Sequence, residues 1–265
     1  MKYKWLNKEA KNTKVVIFFN GWGMDENVVS HLNCEDYDVL MFYDYNTLDT
    51  DFDFDMLEMY SEKNLIAWSM GVMVGNFISP LTRHFVTPSP TRGEGDELQD
   101  INLSTCVAPP TRGEGDELQA SNLSTCVAPP RMSDGKTVAI NGTLRPIDEK
   151  YGIHPKIYNL TIKGFNEKGR KRFISNMFEE DIDVACARDI ENQKAELIAL
   201  KEICRPTPAL ILPLGDGKML YKKIFISDND KIIPTKSQVA FWGIEPNLKG
   251  GHCPFFQFEK WSDLL

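Results

Sequence analysis

Residues 66–71 read IAWSMG and place Ser69 between an apolar run and a helix-like segment. A serine at such a sharp strand-to-helix turn, usually written GxSxG, is exposed as a nucleophile, and small residues flank it because the backbones crowd there. Ala67 takes the place of the first glycine and is still small enough for the turn. The alternative is that Ser69 simply caps the N-terminus of the following helix.

A nucleophilic serine needs an imidazole base and a carboxylate that orients the base. His252 is the one histidine of four that follows the last predicted strand. Asp230 follows an earlier predicted strand, and Asp228 in the same loop is its rival. Either aspartate could instead be a turn or capping residue. The chain order Ser69, Asp230, His252 is the α/β-hydrolase order, and this joint match is more specific than any single motif.

The segment FNGWGM at residues 19–24 could supply the third requirement, backbone N–H donors for a developing oxyanion. Its glycines would let the loop approach a reacting carbonyl, and we expect the amides of Trp22 and Met70 to be the two donors. An ordinary glycine turn is the alternative. Cys253 is a second possible nucleophile, but it has no base of its own, so Ser69 is favoured.

The elements around these residues alternate between strand and helix signals, which predicts a mostly parallel sheet with helices on both faces. Apolar runs predict strands at residues 14–19, 37–43, 64–68, 137–141 and 222–227, with a possible sixth at 238–242. Helices are predicted at 25–32, 54–63, 71–78, 166–178 and 190–203. Together with the chain order of Ser69, Asp230 and His252, this pattern predicts an α/β-hydrolase fold. The long, largely helical stretch between the fourth and fifth strands predicts a helical cap.

A tandem repeat interrupts the pattern: residues 91–110 and 111–130 are copies that differ at two positions. Two copies are too few for a solenoid, and they contain few large apolar residues, which favours a disordered insertion. The predicted division of the chain is a core of residues 1–87, 133–144 and 206–265, a repeat-containing insertion at 88–132, and a helical cap at 145–205.

Composition excludes several classes of protein. The 265 residues carry a formal charge of −8, which argues against a nucleic-acid partner. No stretch approaches 18 apolar residues and the N-terminus has no apolar signal core, so we expect a cytoplasmic protein that does not contact a membrane. The six cysteines show no metal-ligand spacing and are expected to be reduced. We expect a monomer without metal or cofactor.

The sequence resembles the α/β-hydrolase superfamily and, more closely, the BioG-type pimeloyl-[acyl-carrier protein] methyl ester esterases. The resemblance spans nearly the whole chain except the repeat, and AWSMG together with INGTLRPID is its most specific part. The segments that carry it are FFNGWGMD (18–25), LIAWSMGV (65–72), VAINGTLRPID (138–148), ISDNDKIIP (226–234) and GGHCPFF (250–256).

This resemblance implies hydrolysis of the methyl ester of pimeloyl-acyl-carrier protein in biotin synthesis. It implies that Ser69 is the nucleophile, His252 the general base and acid, and Asp230 its orienter, with the Trp22 and Met70 amides as the oxyanion hole. Alternatives are a carboxylesterase or acyltransferase on another ester, or a non-catalytic binding protein that keeps the fold.

Residues 150–172 contain seven basic residues against Glu167 alone. Because acyl-carrier proteins are acidic, this stretch could steer such a partner, and we single out Arg170, Lys171 and Arg172. The alternative is a solvated helix face. By position, we expect Trp22, Trp68 and cap residues such as Phe173 or Phe178 to line the substrate groove.

Overall fold

The computed structural model describes residues 1–78, 135–178, 186–204 and 220–265. The predicted insertion at 88–132, with its repeat, lies outside the described residues. A six-stranded sheet in the order β1-β3-β2-β4-β5-β6 forms the centre of the molecule. Its strands are β1 (Lys2–Asn7), β2 (Lys14–Phe19), β3 (Tyr37–Tyr43), β4 (Glu62–Trp68), β5 (Thr137–Ile140) and β6 (Lys223–Phe225).

All neighbouring strands are parallel except the edge strand β1, which pairs antiparallel with β3. Consecutive side chains of β2 alternate between two apolar clusters: Val15, Ile17 and Phe19 belong to one, and Val16 and Phe18 to the other. Since the period of a strand is two, this alternation means that both faces of the sheet are covered.

The helices are α1 (Met70–Ile78), α2 (Pro155–Gly164), α3 (Glu167–Met177), α4 (Ile190–Ile203), α5 (Thr235–Trp242) and α6 (Trp261–Leu264). Val72 of α1 and Leu197 of α4 pack into the cluster on one face, and Trp261 of α6 packs into the other. Helices therefore cover both faces of a mostly parallel sheet, and the predicted fold class is confirmed. None of the helices in the described ranges has the length and apolar character that crossing a membrane requires.

Helices α2, α3 and α4 follow one another between β5 and β6, in the stretch where the sequence predicts a cap. Asn166 caps α3 by accepting the amide of Gly169, and Asp189 caps α4 by accepting that of Asn192. These caps fix the helix starts because the first N–H groups of a helix have no partner within it.

Three sequence predictions differ from the structure. Residues 238–242, predicted as a possible strand, belong to α5, which starts after Pro234 and ends at Gly243 in a left-handed conformation. The helices predicted at 25–32 and 54–63 are short 3₁₀ turns, and strand β1 has no counterpart in the prediction.

Candidate active site

Ser69 lies between the end of β4 and the start of α1, with a positive φ of 58°. Such an angle is strained for a residue with a side chain and is typical of functional turns. The turn is also crowded: a Cβ on Gly71 would lie 2.3 Å from the carbonyl oxygen of Phe19, and one on Gly142 would lie 2.4 Å from that of Ser69. The strand-to-helix elbow therefore forms with Ala67 in the first glycine position.

The two predicted partners of Ser69 meet it at the same edge of the sheet. The Ser69 Oγ lies 2.8 Å from Nε2 of His252, and Nδ1 of His252 lies 2.7 Å from Oδ2 of Asp230. The three residues are buried, with exposed fractions of 5%, 1% and 6% for Ser69, His252 and Asp230. A hydroxyl, an imidazole and a carboxylate are thus connected in one chain that is shielded from water.

The loop after β6 holds the Asp230 carboxylate by both of its oxygens. Oδ1 accepts the backbone N–H groups of Ile232 and Ile233, and Oδ2 accepts the side-chain amide of Gln238 as well as facing His252. Its rival in the sequence, Asp228, is exposed and accepts the amide of Gly250 and the ammonium group of Lys249. Asp228 has no hydrogen bond to the histidine.

Asn141, directly after β5, connects the loops that carry the acid and the base. It is fully buried with a positive φ of 45°. Its amide nitrogen donates to the carbonyl oxygen of His252 at 2.9 Å and to the Ser227 hydroxyl at 2.8 Å, and its oxygen accepts the Ser227 N–H. The indole N–H of Trp68 donates to the same His252 carbonyl. The sequence analysis missed this role, although Asn141 lies within the segment INGTLRPID.

The predicted oxyanion loop follows β2, and its turn is held from within by Asn20. The side-chain oxygen of Asn20 accepts the Gly21 N–H, and its amide donates to the carbonyl of Asp25. Gly21 must be a glycine because a Cβ there would lie 2.8 Å from the Trp68 ring. Within the described ranges, the backbone N–H groups of Trp22 and Met70 donate no hydrogen bond, so both are available to a ligand.

Ser69 and His252 lie in the lining of a narrow, mostly apolar pocket with a cavity volume of about 30 Å³. Ligand pockets are typically lined in this way, by apolar side chains around a few polar groups. Trp22, Trp68 and Phe173 line it as expected, whereas Phe178 packs against Phe256 instead. The other lining residues are Gly21, Ser69, Met70, Ile153, Tyr158, Thr161, Met177, Leu197, Ile232 and His252.

The cysteine beside the histidine is poorly suited to nucleophilic attack. Burial raises the pKa of the Cys253 thiol to about 12, so the thiolate is scarce at neutral pH. The other described cysteines, Cys34, Cys186 and Cys204, are also free thiols. In the described parts of the chain, no three His, Cys, Asp or Glu side chains cluster as metal ligands would.

The three basic residues singled out on α3 have different environments. Lys171 and Arg172 are exposed. Arg170 is partly buried, and its guanidinium donates to the carbonyl oxygen of Cys186 at 2.7 Å. Arg170 therefore joins α3 to the segment before α4, a role that the sequence prediction of a docking residue did not include.

Comparison with known proteins adds family information to this geometry. The family model for the pimeloyl-ACP methyl esterase BioG matches residues 1–83 and 131–264, leaving out the repeat. The chain is 28% identical over 243 residues to a malonyl-[acyl-carrier protein] O-methyltransferase of Bacteroides fragilis, covering 89% of this chain and 37% of that protein. It thus spans well under half the length of that relative.

An uncharacterised protein of Haemophilus influenzae is 24% identical and matches over 100% of this chain and 99% of its own length. The crystal structure of BioG from Haemophilus influenzae superposes with a TM-score of 0.68 at 24% identity, covering 100% of this chain and 99% of that one. This likeness supports the fold independently of the sequence match.

Proposed function

Because the chain belongs to the BioG family of pimeloyl-ACP methyl esterases, we propose that it is a serine esterase acting on the methyl ester of pimeloyl-acyl-carrier protein. The observation that carries the proposal is the hydrogen-bonded chain from Ser69 through His252 to Asp230 at the floor of an apolar pocket. The products are methanol and a carrier-bound acid with a free terminal carboxylate.

In the first half of the reaction, Ser69 Oγ attacks the ester carbonyl while Nε2 of His252 takes its proton. This requires that the other ring proton sits on Nδ1, where Asp230 accepts it, as the 2.7 Å distance favours. The negative charge on the carbonyl oxygen is stabilised by the N–H groups of Trp22 and Met70. Collapse of the intermediate breaks the bond to the methoxy group, which leaves as methanol with the proton from His252.

In the second half, a water molecule takes the place of methanol. His252 removes its proton, the hydroxide attacks the acyl group on Ser69, and the same two amides hold the oxyanion. Collapse returns the proton to Ser69 and releases the carboxylic acid. The sum is one ester and one water converted to one acid and one methanol, with the enzyme unchanged.

The pocket and the relatives support a methyl ester on a long carrier-bound chain. The apolar side chains of Trp22 and Phe173 suit the methylene chain, because each buried CH₂ contributes about 0.8 kcal/mol. The Bacteroides fragilis relative is named as an O-methyltransferase that acts on a carrier-bound acid. An esterase of the proposed kind removes a methyl group that such an enzyme adds.

The carrier protein would dock beside this pocket on the basic surface of α3. Phe173 lines the pocket one residue after Arg172, so the exposed side chains of Lys171 and Arg172 lie on the helix that borders it. An acidic partner is steered by such charges, which act mainly on the association rate. We also propose that the protein works in the cytoplasm as a monomer.

Two experiments test the proposal. The first is genetic: the gene should restore growth without biotin to a bacterial host that lacks its own pimeloyl-ester esterase, and a Ser69→Ala version should not. The second compares kcat/KM for the carrier-bound methyl ester and for a small soluble ester after combined Lys171→Glu and Arg172→Glu changes, leaving Arg170 in place to hold its contact with Cys186.

The charge reversal should lower kcat/KM for the carrier substrate about tenfold or more at low salt. This loss should become smaller as salt is raised, and kcat/KM for the small ester should stay unchanged. Parallel losses on both substrates would mean that the cap itself is damaged. No loss on either would place the docking surface elsewhere while leaving the esterase assignment intact.

A further inference from the structure

Helix α4 makes a set of hydrogen bonds to the loop that would form the oxyanion hole. The side-chain amide of Gln193 donates to the carbonyl of Gly23 at 2.6 Å, and its backbone carbonyl accepts the indole N–H of Trp22 at 2.9 Å. The carboxylate of Glu196 accepts the Gly23 N–H at 3.2 Å. Both peptide groups of Gly23, which follows Trp22, are therefore bound by side chains of a helix about 170 residues later.

Glu196 is unusual because it is a fully buried carboxylate that the proposed reaction does not use. Oε1 of Glu196 accepts the backbone N–H of Tyr45 at 2.7 Å, and Arg188 lies 2.8 Å from Oε2, the oxygen that also accepts the Gly23 N–H. Arg188 also reaches Asp44 at 3.2 Å. Burial of an unpaired charge is costly, so a carboxylate in this place is tolerated only because two N–H groups and a guanidinium surround it.

The loop gains from an external support because one of its residues is conformationally free. Gly23 has a φ of +73°, which a glycine adopts without strain but is not restricted to, so the bonds to its peptide groups help to fix this turn. The Trp22 N–H belongs to the Gly21–Trp22 peptide, whose carbonyl accepts the Met24 N–H at 3.3 Å within the loop. Asn20 binds the N–H of the peptide before it, and Glu196 on α4 binds the N–H of the peptide after it; Gln193 binds the carbonyl of Gly23 one peptide further on.

We propose that Glu196 is a positioning residue, assisted by Gln193, that holds the Trp22 amide in the direction needed to bind the oxyanion. This inference rests on the proposed serine-esterase activity and adds to it that the oxyanion hole is completed by the cap helix α4. A residue that only stabilises the fold would lower the melting temperature when changed; a positioning residue also lowers transition-state binding without a matching change in substrate binding.

The test is Glu196→Gln in the full chain, which keeps the volume but replaces one acceptor oxygen by an NH₂ group. Whichever way the new amide turns, its NH₂ group faces a donor: at the Oε2 position it meets the Gly23 N–H and Arg188, and at the Oε1 position it meets the Tyr45 N–H. The neutral side chain therefore cannot hold its place against the loop as the carboxylate does. Loss of a whole oxyanion donor costs roughly 10²–10³ in kcat, so a displaced donor should cost about 10- to 100-fold. We expect KM for a p-nitrophenyl ester to change less than about threefold. Affinity for an alkyl boronic acid, which mimics the tetrahedral intermediate, should fall by the same factor as kcat.

Asp38→Asn is the matched control, because Asp38 is another buried carboxylate that accepts two N–H groups, from Glu9 and Asn12, near the opposite edge of the sheet. It should lower the melting temperature but leave kcat and boronate affinity within about twofold. Gln193→Met removes the side-chain donor to Gly23 and to the Cys186 sulfur but keeps the backbone carbonyl that accepts the Trp22 indole. It should give a smaller loss in kcat and boronate affinity, and it serves if Glu196→Gln does not fold.

The inference is overturned if Glu196→Gln, or Gln193→Met in its place, lowers the melting temperature while kcat and boronate affinity stay at the wild-type values. Failure of the esterase assignment gives a different result: the wild-type protein would then hydrolyse no ester, or Ser69→Ala would keep the wild-type rate, whatever residue stands at position 196.

Discussion

Replacing Asp230 by asparagine should nearly abolish turnover while preserving the fold, and the structure shows why. Oδ1 of Asp230 accepts the N–H groups of Ile232 and Ile233, so the asparagine oxygen is expected to stay in that position. Its NH₂ group then takes the Oδ2 position, 2.7 Å from Nδ1 of His252. An NH₂ group there donates to Nδ1 and forces the ring proton onto Nε2, where it blocks proton transfer from Ser69.

The expected magnitude follows from this change of tautomer. A comparable change in a serine-protease triad lowers kcat by about 10⁴. At about 1.36 kcal/mol per tenfold change in rate, that factor corresponds to roughly 5 kcal/mol of transition-state stabilisation. The Asp230→Asn protein should therefore fall near the detection limit of a steady-state assay with a p-nitrophenyl ester, while keeping a cooperative thermal transition.

Asp228→Asn is the control, because Asp228 is exposed and contacts Gly250 and Lys249 rather than His252. Its kcat should stay within about threefold of wild type, since exposed charge pairs contribute little. Equal losses in the two variants would leave the acid unassigned. A larger loss in Asp228→Asn would refute the reasoning and reverse the assignment.

Three further predictions use other parts of the structure. Asn141→Asp places an oxygen against the His252 carbonyl and should lower kcat at least about tenfold in an ester assay. Its control is Asn64→Asp, at a buried site in β4, which should alter only the melting temperature. Cys253→Ser should keep kcat within about threefold, because burial raises the pKa of the thiol to about 12 and the proposed nucleophile is Ser69; an inactive variant would contradict this. Deleting residues 91–130, which the family model leaves out, should preserve kcat/KM, and a melting temperature more than roughly 5 °C lower would show that they pack on the core.

The central strands could be predicted closely because both of their faces are buried. The predicted bounds 14–19 and 37–43 equal those of β2 and β3, since a strand covered on both faces is a continuous apolar run. β1 was missed because it is an edge strand whose first half is exposed and rich in lysine. Residues 238–242 were mistaken for a strand because a short apolar run does not distinguish strand from helix.

The hydrogen-bonded residues Ser69, His252 and Asp230 were recognisable in the sequence because their chain order and strand-end positions can be read from it directly. Asn141 and Glu196 were missed because their roles depend on contacts with residues that are far away in the chain. Asn141 reaches His252, 111 residues later, and Glu196 reaches Gly23, 173 residues earlier. The one sequence signal of such a role is a glutamate that stands with Leu197 and Leu200 on the face of α4 that the structure buries.

The decisive measurement is the turnover of Ser69→Ala with the methyl ester of pimeloyl-acyl-carrier protein, followed as methanol released. We expect a loss of about 10⁴–10⁶ in kcat at an unchanged melting temperature, because the loop at residues 19–24 and the pocket remain but the proposed nucleophile is gone. Loss of a nucleophile should lower kcat at least about 10⁴-fold. If Ser69→Ala kept more than about a tenth of the wild-type rate, Ser69 would not be the nucleophile of a serine esterase.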